Sequence, residues 1–111
     1  MKIIHNKLVR DKIPEIIAKQ GKRVSFRGVK GDELKAALKD KLIEEVNELV
    51  NASTLSQIIE EVADIEEVLC AFKYEYGISH DTNDARRDKA IEKGTFSCGY
   101  FLESVTEADN E

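Results

Sequence analysis

Residues 32–76 read DELKAALKDKLIEEVNELVNASTLSQIIEEVADIEEVLCAFKYEY, and this stretch decides the fold. Asp32 opens a helical pattern that runs to about Val50, Asn51-Ala52-Ser53 breaks it, and Ser53 or Thr54 can cap a second helix reaching about Tyr76, where Gly77 stops it. Two long helices joined by so short a turn must lie antiparallel, as a helical hairpin. At about 100° per residue the first helix gathers Leu34, Leu38, Leu42 and Leu49 into an arc about 80° wide. Glu45 falls inside that arc, Glu48 lies at its edge, and Glu44 sits farther round. On the second helix Ile58, Val62, Ile65, Val68, Leu69 and Phe72 form the apolar face, with Glu61 projecting within it and Asp64 on its border. Glu60, Glu66 and Glu67 point away and read as solvated surface.

Outward from the hairpin, Asp11 to Gln20 predicts a short helix with Asp11 as cap, Pro14 in the first turn and Gly21 as stop. Ser79 or Asp81 caps a last helix through about Lys93, ended by Gly94. Alternation at Val24, Phe26 and Gly28 allows a short strand, whose partner could come from the similar stretch near the C-terminus. The expected fold is mainly α: an antiparallel helical hairpin completing a four-helix-bundle-like core, with room for a small two-stranded β element pairing about 24–29 with 96–105. Residues 1–105 make one domain, and 106–111 an acidic tail that should fray.

Composition agrees with a folded helical chain: 111 residues, 41% hydrophobic and 35% charged, with one Pro and 6 Gly. No apolar run is long enough to cross a bilayer and no charged-then-apolar leader opens the chain. Cys70 and Cys98 lack CxxC or His spacing, and His5 and His80 supply no obvious zinc partners, so a reduced, cytoplasmic protein is expected.

The net charge of −5 hides a concentration of acid. Residues 1–39 carry eleven basic and four acidic side chains, residues 40–67 carry Lys41 against nine acids, and residues 68–111 carry five basic and nine acidic groups. The acidic middle disfavours a direct nucleic-acid groove or any membrane role, and divalent cations would reverse its sign locally. An acidic run is ordinarily a solvated helix face. Here four carboxylates, Glu45, Glu48, Glu61 and Asp64, converge from two facing helices, and burying them unpaired would cost several kcal/mol at least. Either Lys or Arg from elsewhere neutralises them as a structural network, or a hard divalent cation does. All-oxygen ligation selects Mg²⁺, with Mn²⁺ as a substitute, over Zn²⁺. A lesser stripe on the second helix, Ile59, Ala63, Cys70 and Tyr74, needs cover from another helix or a second copy.

The pattern Glu44-Glu45-Val46-Asn47-Glu48, twelve further residues, then Glu61-Val62-Ala63-Asp64 resembles the all-alpha NTP pyrophosphatase superfamily, the MazG-like group that includes phosphoribosyl-ATP pyrophosphohydrolases. Lys41-Leu42 before the pattern and Ile65 after it also suit. Asn6-Lys7-Leu8-Val9-Arg10-Asp11-Lys12-Ile13-Pro14 is similar to the opening of a subgroup predicted to clear unwanted nucleotides, and Lys93-Gly94-Thr95-Phe96 resembles its closing segment. The resemblance spans roughly residues 5 to 103. It implies metal-dependent cleavage between the α and β phosphates of a nucleoside triphosphate, with Glu45, Glu48, Glu61 and Asp64 as metal ligands. Glu44 would be a supporting ligand or orient the attacking water, so Glu44 and Glu45 are the candidate catalytic pair. It also implies a homodimer or homotetramer. Candidate phosphate contacts are Lys7, Arg10, Lys12, Arg86, Lys89 and Lys93, although for any one of them solvated surface is the commoner reading; Arg10 and Lys93 are favoured because they lie in the two end motifs. Phe26, Phe72, Tyr74 and Phe96 could stack on a base or be ordinary core. Ordinary and damaged nucleotides and phosphoribosyl-ATP share the cleavable linkage, so the histidine-pathway enzyme is the alternative. A non-catalytic, metal-stabilised helical oligomer is the alternative of another class.

Overall fold

In the computed structural model, residues 1–108 are described, and four α-helices make up all their regular structure. They are α1 (Ile13–Lys19), α2 (Gly31–Asn51), α3 (Leu55–Tyr76) and α4 (Ser79–Lys93). Two compact units divide the chain, Met1–Ser79 and the residues from His80 onward. Within the described residues no helix is long and apolar enough to cross a membrane.

The first unit is built on the expected hairpin. At 21 and 22 residues, α2 and α3 are each about 30 Å long. Residues 52–54 join them, and α3 begins on a complete capping box: the Thr54 hydroxyl accepts from the Gln57 amide N–H at 3.1 Å, while Gln57 Oε1 accepts from Thr54 N–H at 3.3 Å. Gln57 Oε1 also takes the Ser53 N–H at 2.9 Å, so one side chain ties the turn to the first turn of α3. Gly77 closes α3 in the left-handed conformation at φ 64°, where a Cβ would be strained. The shorter α1 begins after Lys12 rather than at Asp11, with no side-chain cap, and holds Pro14 in its first turn.

Packing between α2 and α3 follows the predicted α2 arc and part of the predicted α3 face, whose Ile58, Val62 and Leu69 are exposed at 38%, 39% and 38%. Leu38 and Val68 are buried, Leu34, Leu42, Leu49, Ile65 and Phe72 are half-buried, and Glu45 is enclosed with them at 5% exposure. The Phe72 and Tyr76 rings meet at 4.6 Å between centroids, and Lys35 Nζ stands 4.7 Å from the Tyr76 ring centre. Glu60, Glu66 and Glu67 are solvent-exposed, as expected. Much apolar surface stays open on the outer faces: Ile43, Val46 and Val50 on α2, Leu55, Ile59 and Tyr74 on α3. Ile59 and Tyr74 belong to the second stripe, whose Ala63 and Cys70 are exposed as well.

The two-stranded element is a correction. Among the described residues there is no strand, and 24–29 and 96–105 are irregular. An isolated pair of strands is marginal without a face to bury, and Phe26 and Phe96, which would anchor it, are largely exposed. The second stretch is also interrupted by a turn in which Gly99 N–H donates to Phe96 C=O at 3.1 Å, with Gly99 left-handed at φ 65°. In the second unit α4 ends where Gly94 turns left-handed. Residues 106–108 of the acidic tail are irregular and exposed, and 109–111 lie outside the described residues. Cys70 and Cys98 are free thiols, both exposed.

Candidate metal centre

The site forms where the inner faces of α2 and α3 meet. Glu45 from α2 and Glu61 and Asp64 from α3 each offer a carboxylate oxygen, and these three oxygens lie within 4.8 Å of one another. The i, i+3 step sets Glu61 and Asp64 on adjacent turns of one side of α3, and the opposed helix supplies Glu45. Glu45 Oε2 and Glu61 Oε2 are buried and have no hydrogen-bond partner. A buried acceptor left without a donor costs about 1 to 3 kcal/mol, more when charged. Three converging carboxylates with two orphaned oxygens are the all-oxygen donor set that a hard divalent cation takes, so the residues fit Mg²⁺ or Mn²⁺.

Glu48, the fourth predicted ligand, is exposed and lies outside the three-oxygen cluster. It borders Glu61 and lines with it an open hollow of about 350 Å³ at the turn end of the hairpin, together with Asn51, Ala52, Gln57 and Glu60. None of Phe26, Phe72 or Tyr74 lines this hollow. Phe96 lines a separate hollow of about 270 Å³ in the second unit with Cys98, Tyr100 and Phe101.

Cations approach the carboxylates from two directions. Lys41, one turn before the acidic pair on α2, places Nζ 3.2 Å from Glu45 Oε1 and 3.3 Å from Glu44 Oε2. Its side chain is only 17% exposed. Burial alone would lower the Lys41 pKa, but hydrogen bonds to Glu45 and Glu44 outweigh it and hold the ammonium above its ordinary value. From the N-terminal segment, Lys7 Nζ reaches Glu44 Oε1 at 3.2 Å and Arg10 Nη2 reaches Asp64 Oδ1 at 2.7 Å. The Arg10 guanidinium is raised further above its ordinary range, chiefly by that hydrogen bond. For Glu44, burial pushes upward, yet the hydrogen bonds from Lys7 and Lys41 prevail and the carboxyl lies below its usual range.

Glu61 is the exception. No cation reaches it among the described residues, and its carboxyl is pushed up to about 7, first by sharing a hydrogen bond with Glu45, then by burial, then by Glu48. The two orphaned oxygens and the raised pKa have one cause: carboxylates crowded together without a donor disfavour the charged form of Glu61.

Of the remaining predicted residues, Lys12 is exposed at the start of α1 and forms no ion pair among the described residues, and Lys89 and Lys93 are exposed on α4 in the second unit. Lys41 is the contributor that a search for acids passes over. Its signal was the spacing: three and four residues before Glu44 and Glu45, it shares their face of the helix. No family model matches the sequence, and neither a characterised protein nor a solved structure matches it.

Proposed function

We propose that this chain is a Mg²⁺-dependent nucleoside triphosphate pyrophosphohydrolase that cleaves the α–β phosphate linkage to give the monophosphate and pyrophosphate, with a role in nucleotide-pool cleaning. Mn²⁺ is expected to substitute. The observation that carries this reading is the pair of buried, partnerless oxygens of Glu45 and Glu61 beside Asp64. The motif resemblance to the all-alpha pyrophosphatases supports it.

Bound divalent ions supply charge neutralisation of the phosphates and lower the cost of activating water. Glu45, Glu61 and Asp64 would hold them, and Glu48, exposed beside Glu61, would be the fourth carboxylate. Glu44, kept ionised by Lys7 and Lys41, accepts a hydrogen bond from the attacking water and so orients it. The pairing of Lys7 with Glu44 and of Arg10 with Asp64 supports these two as phosphate contacts, while Lys12, Lys89 and Lys93 remain candidates from the motifs alone. The hollow next to Glu61 is where the nucleoside end of the substrate would lie, with Asn51 Oδ1 and Gln57 Nε2 as the amide atoms not engaged in the hairpin turn. No covalent nucleophile is required.

The bundle-like core and oligomer belong to the same proposal. Aliphatic side chains left open on both hairpin helices need cover by the remaining helices or by a second copy. Sedimentation of the purified protein should therefore give a dimer or tetramer.

One observation favours a second reading, a non-catalytic helical oligomer: Lys41, Lys7 and Arg10 already neutralise part of the acidic cluster. Pyrophosphate release from a panel of ordinary and modified triphosphates, with Mg²⁺, with Mn²⁺ and with chelator, separates the readings. Metal-dependent release with the matching monophosphate is the expected result. Silence across the panel, with activity on phosphoribosyl-ATP, selects the histidine-pathway alternative, and silence on both selects the non-catalytic one.

A further inference from the structure

Two side-chain ion pairs join distant parts of the chain, Lys7 to Glu44 and Arg10 to Asp64, and both end on the carboxylate site. Among the described residues every other ion pair joins side chains no more than six positions apart. The segment carrying Lys7 and Arg10 has no regular structure, and Asn6, just before it, is left-handed at φ 46°. These two ion pairs therefore fasten an irregular strap to the hairpin. They fasten it unequally with respect to the candidate ligands. Lys7 grips Glu44, outside the three-oxygen cluster, whereas Arg10 occupies Oδ1 of Asp64, a member of it. The cluster is more than an acidic patch, because Glu45 is 95% enclosed and one of its oxygens has no partner.

A divalent cation held by Glu45, Glu61 and Asp64 and a guanidinium 2.7 Å from Asp64 Oδ1 would be like charges on one carboxylate. The guanidinium has the weaker hold, since its ion pair is exposed to water on both sides. Once displaced it would remain tethered to the site by the Lys7–Glu44 pair three residues earlier in the chain. Its planar fork matches phosphate oxygens in a two-point contact.

We propose that Arg10 is an exchange residue: it neutralises Asp64 while no divalent cation is bound, and passes to the nucleotide's phosphate oxygens when the cation takes Asp64. The inference rests on the metal-dependent nucleotide reading above and adds an order to it. The cation arms the phosphate contact, so the nucleotide is gripped fully only by a loaded site. Lys7, on a carboxylate outside the cluster, keeps its place and serves as the anchor.

The test needs no turnover. Mn²⁺ binding is followed by the loss of the free-ion electron paramagnetic resonance signal, without nucleotide, for the full chain and for Arg10→Met, Asp64→Asn and Arg27→Met. Binding of inorganic pyrophosphate at saturating Mn²⁺ is then measured for the first and second. Arg10→Met should bind Mn²⁺ about fivefold more tightly, the scale of an exposed ion pair removed from competition. It should bind pyrophosphate about tenfold more weakly, the scale of removing one charged hydrogen bond. Arg27→Met, which removes the same charge from a pair with Glu33, controls for net charge and should leave Mn²⁺ affinity unchanged. Circular dichroism checks that the exposed Arg10 position tolerates Met. Equal Mn²⁺ affinity in the full chain and Arg10→Met overturns the exchange, as does unchanged pyrophosphate affinity. If Asp64→Asn loses Mn²⁺ while Arg10→Met is unaltered, the metal centre stands and only the exchange fails. If the full chain binds no Mn²⁺, both fail together.

Discussion

The two helices contribute to the site on different terms. On α2, Glu44 and Glu45 share one cation from their own helix: Lys41 sits one turn away and touches both, and Lys7 adds a second at Glu44. On α3, Asp64 depends on Arg10, brought from 54 residues away, and Glu61 has no cation among the described residues. The α2 pair thus gains one cation as soon as the helix forms, although Glu45 Oε2 stays without a partner. On α3 the shortage falls on Glu61, and the proposed ion would meet it there. A structural network would be expected to balance both halves, whereas a binding site keeps one half unbalanced until its ligand arrives.

That contrast breaks first on α3. Glu61→Gln or Asp64→Asn should lower metal-dependent pyrophosphate release by about 10²- to 10³-fold, the scale of removing one preorganised electrostatic interaction with the transition state. Glu60→Gln and Glu66→Gln, exposed on the same helix, should leave the rate within about twofold, since surface changes away from such interactions are nearly neutral. Equal losses at buried and exposed acids would remove the distinction between the two faces of α3.

At the α2 pair, Lys41→Met should cost stability instead. It strands Glu45 and removes one of two cations from Glu44, so urea denaturation of the metal-free protein should show a loss of about 2 to 3 kcal/mol. Saturating Mg²⁺ should recover part of that loss, by linkage of binding to folding.

The halves also differ in response to pH. Glu61 is raised from 4.5 to about 7, so folding favours its protonated form. Its contribution to the metal-free protein is fully present below about pH 4.5 and is lost as pH rises through about 7. The urea midpoint without metal should therefore fall between those limits, and Glu61→Gln, a permanent mimic of the protonated acid, should flatten that fall and raise the midpoint at pH 8. A midpoint at pH 8 that is no higher in Glu61→Gln than in the unaltered chain would mean that the α3 half is not short of charge.

The smallest effect is expected at the turn that sets the halves against each other. Thr54→Ala removes the cap of α3 and should cost about 1 kcal/mol, with Mn²⁺ affinity unchanged.

Much of this arrangement was legible in the sequence because it is periodic. The arc of Leu34, Leu38, Leu42 and Leu49 located Glu45 inside the helix–helix seam; of the face of Ile58, Val62, Ile65, Val68, Leu69 and Phe72, only Ile65, Val68 and Phe72 turned inward, with Glu61 and Asp64 half-buried beside them. Caps at Thr54 and Gly77 bounded α3 by local chemistry alone. Glu48 was harder, since a residue at the edge of an arc can turn either way, and it turned to solvent. The alternation of Val24, Phe26 and Gly28 misled because a strand needs a partner and a buried face, neither of which three residues encode. The grip of Arg10 on Asp64 was not legible as such: a motif marked the residue, but nothing local couples positions 54 apart.

The three-residue connection between α2 and α3 has a consequence in time. A hairpin of adjacent helices closes almost no loop, and local helical contacts form within microseconds to milliseconds. Glu45 and Glu61 therefore meet early, on a chain whose first ten residues are still searching. Fastening Arg10 to Asp64 closes a far longer loop, at an entropic cost that grows by about 0.6 kcal/mol per doubling. The acidic centre is thus expected to be assembled before its strap arrives, with all three carboxylates unclaimed by Arg10 during that interval.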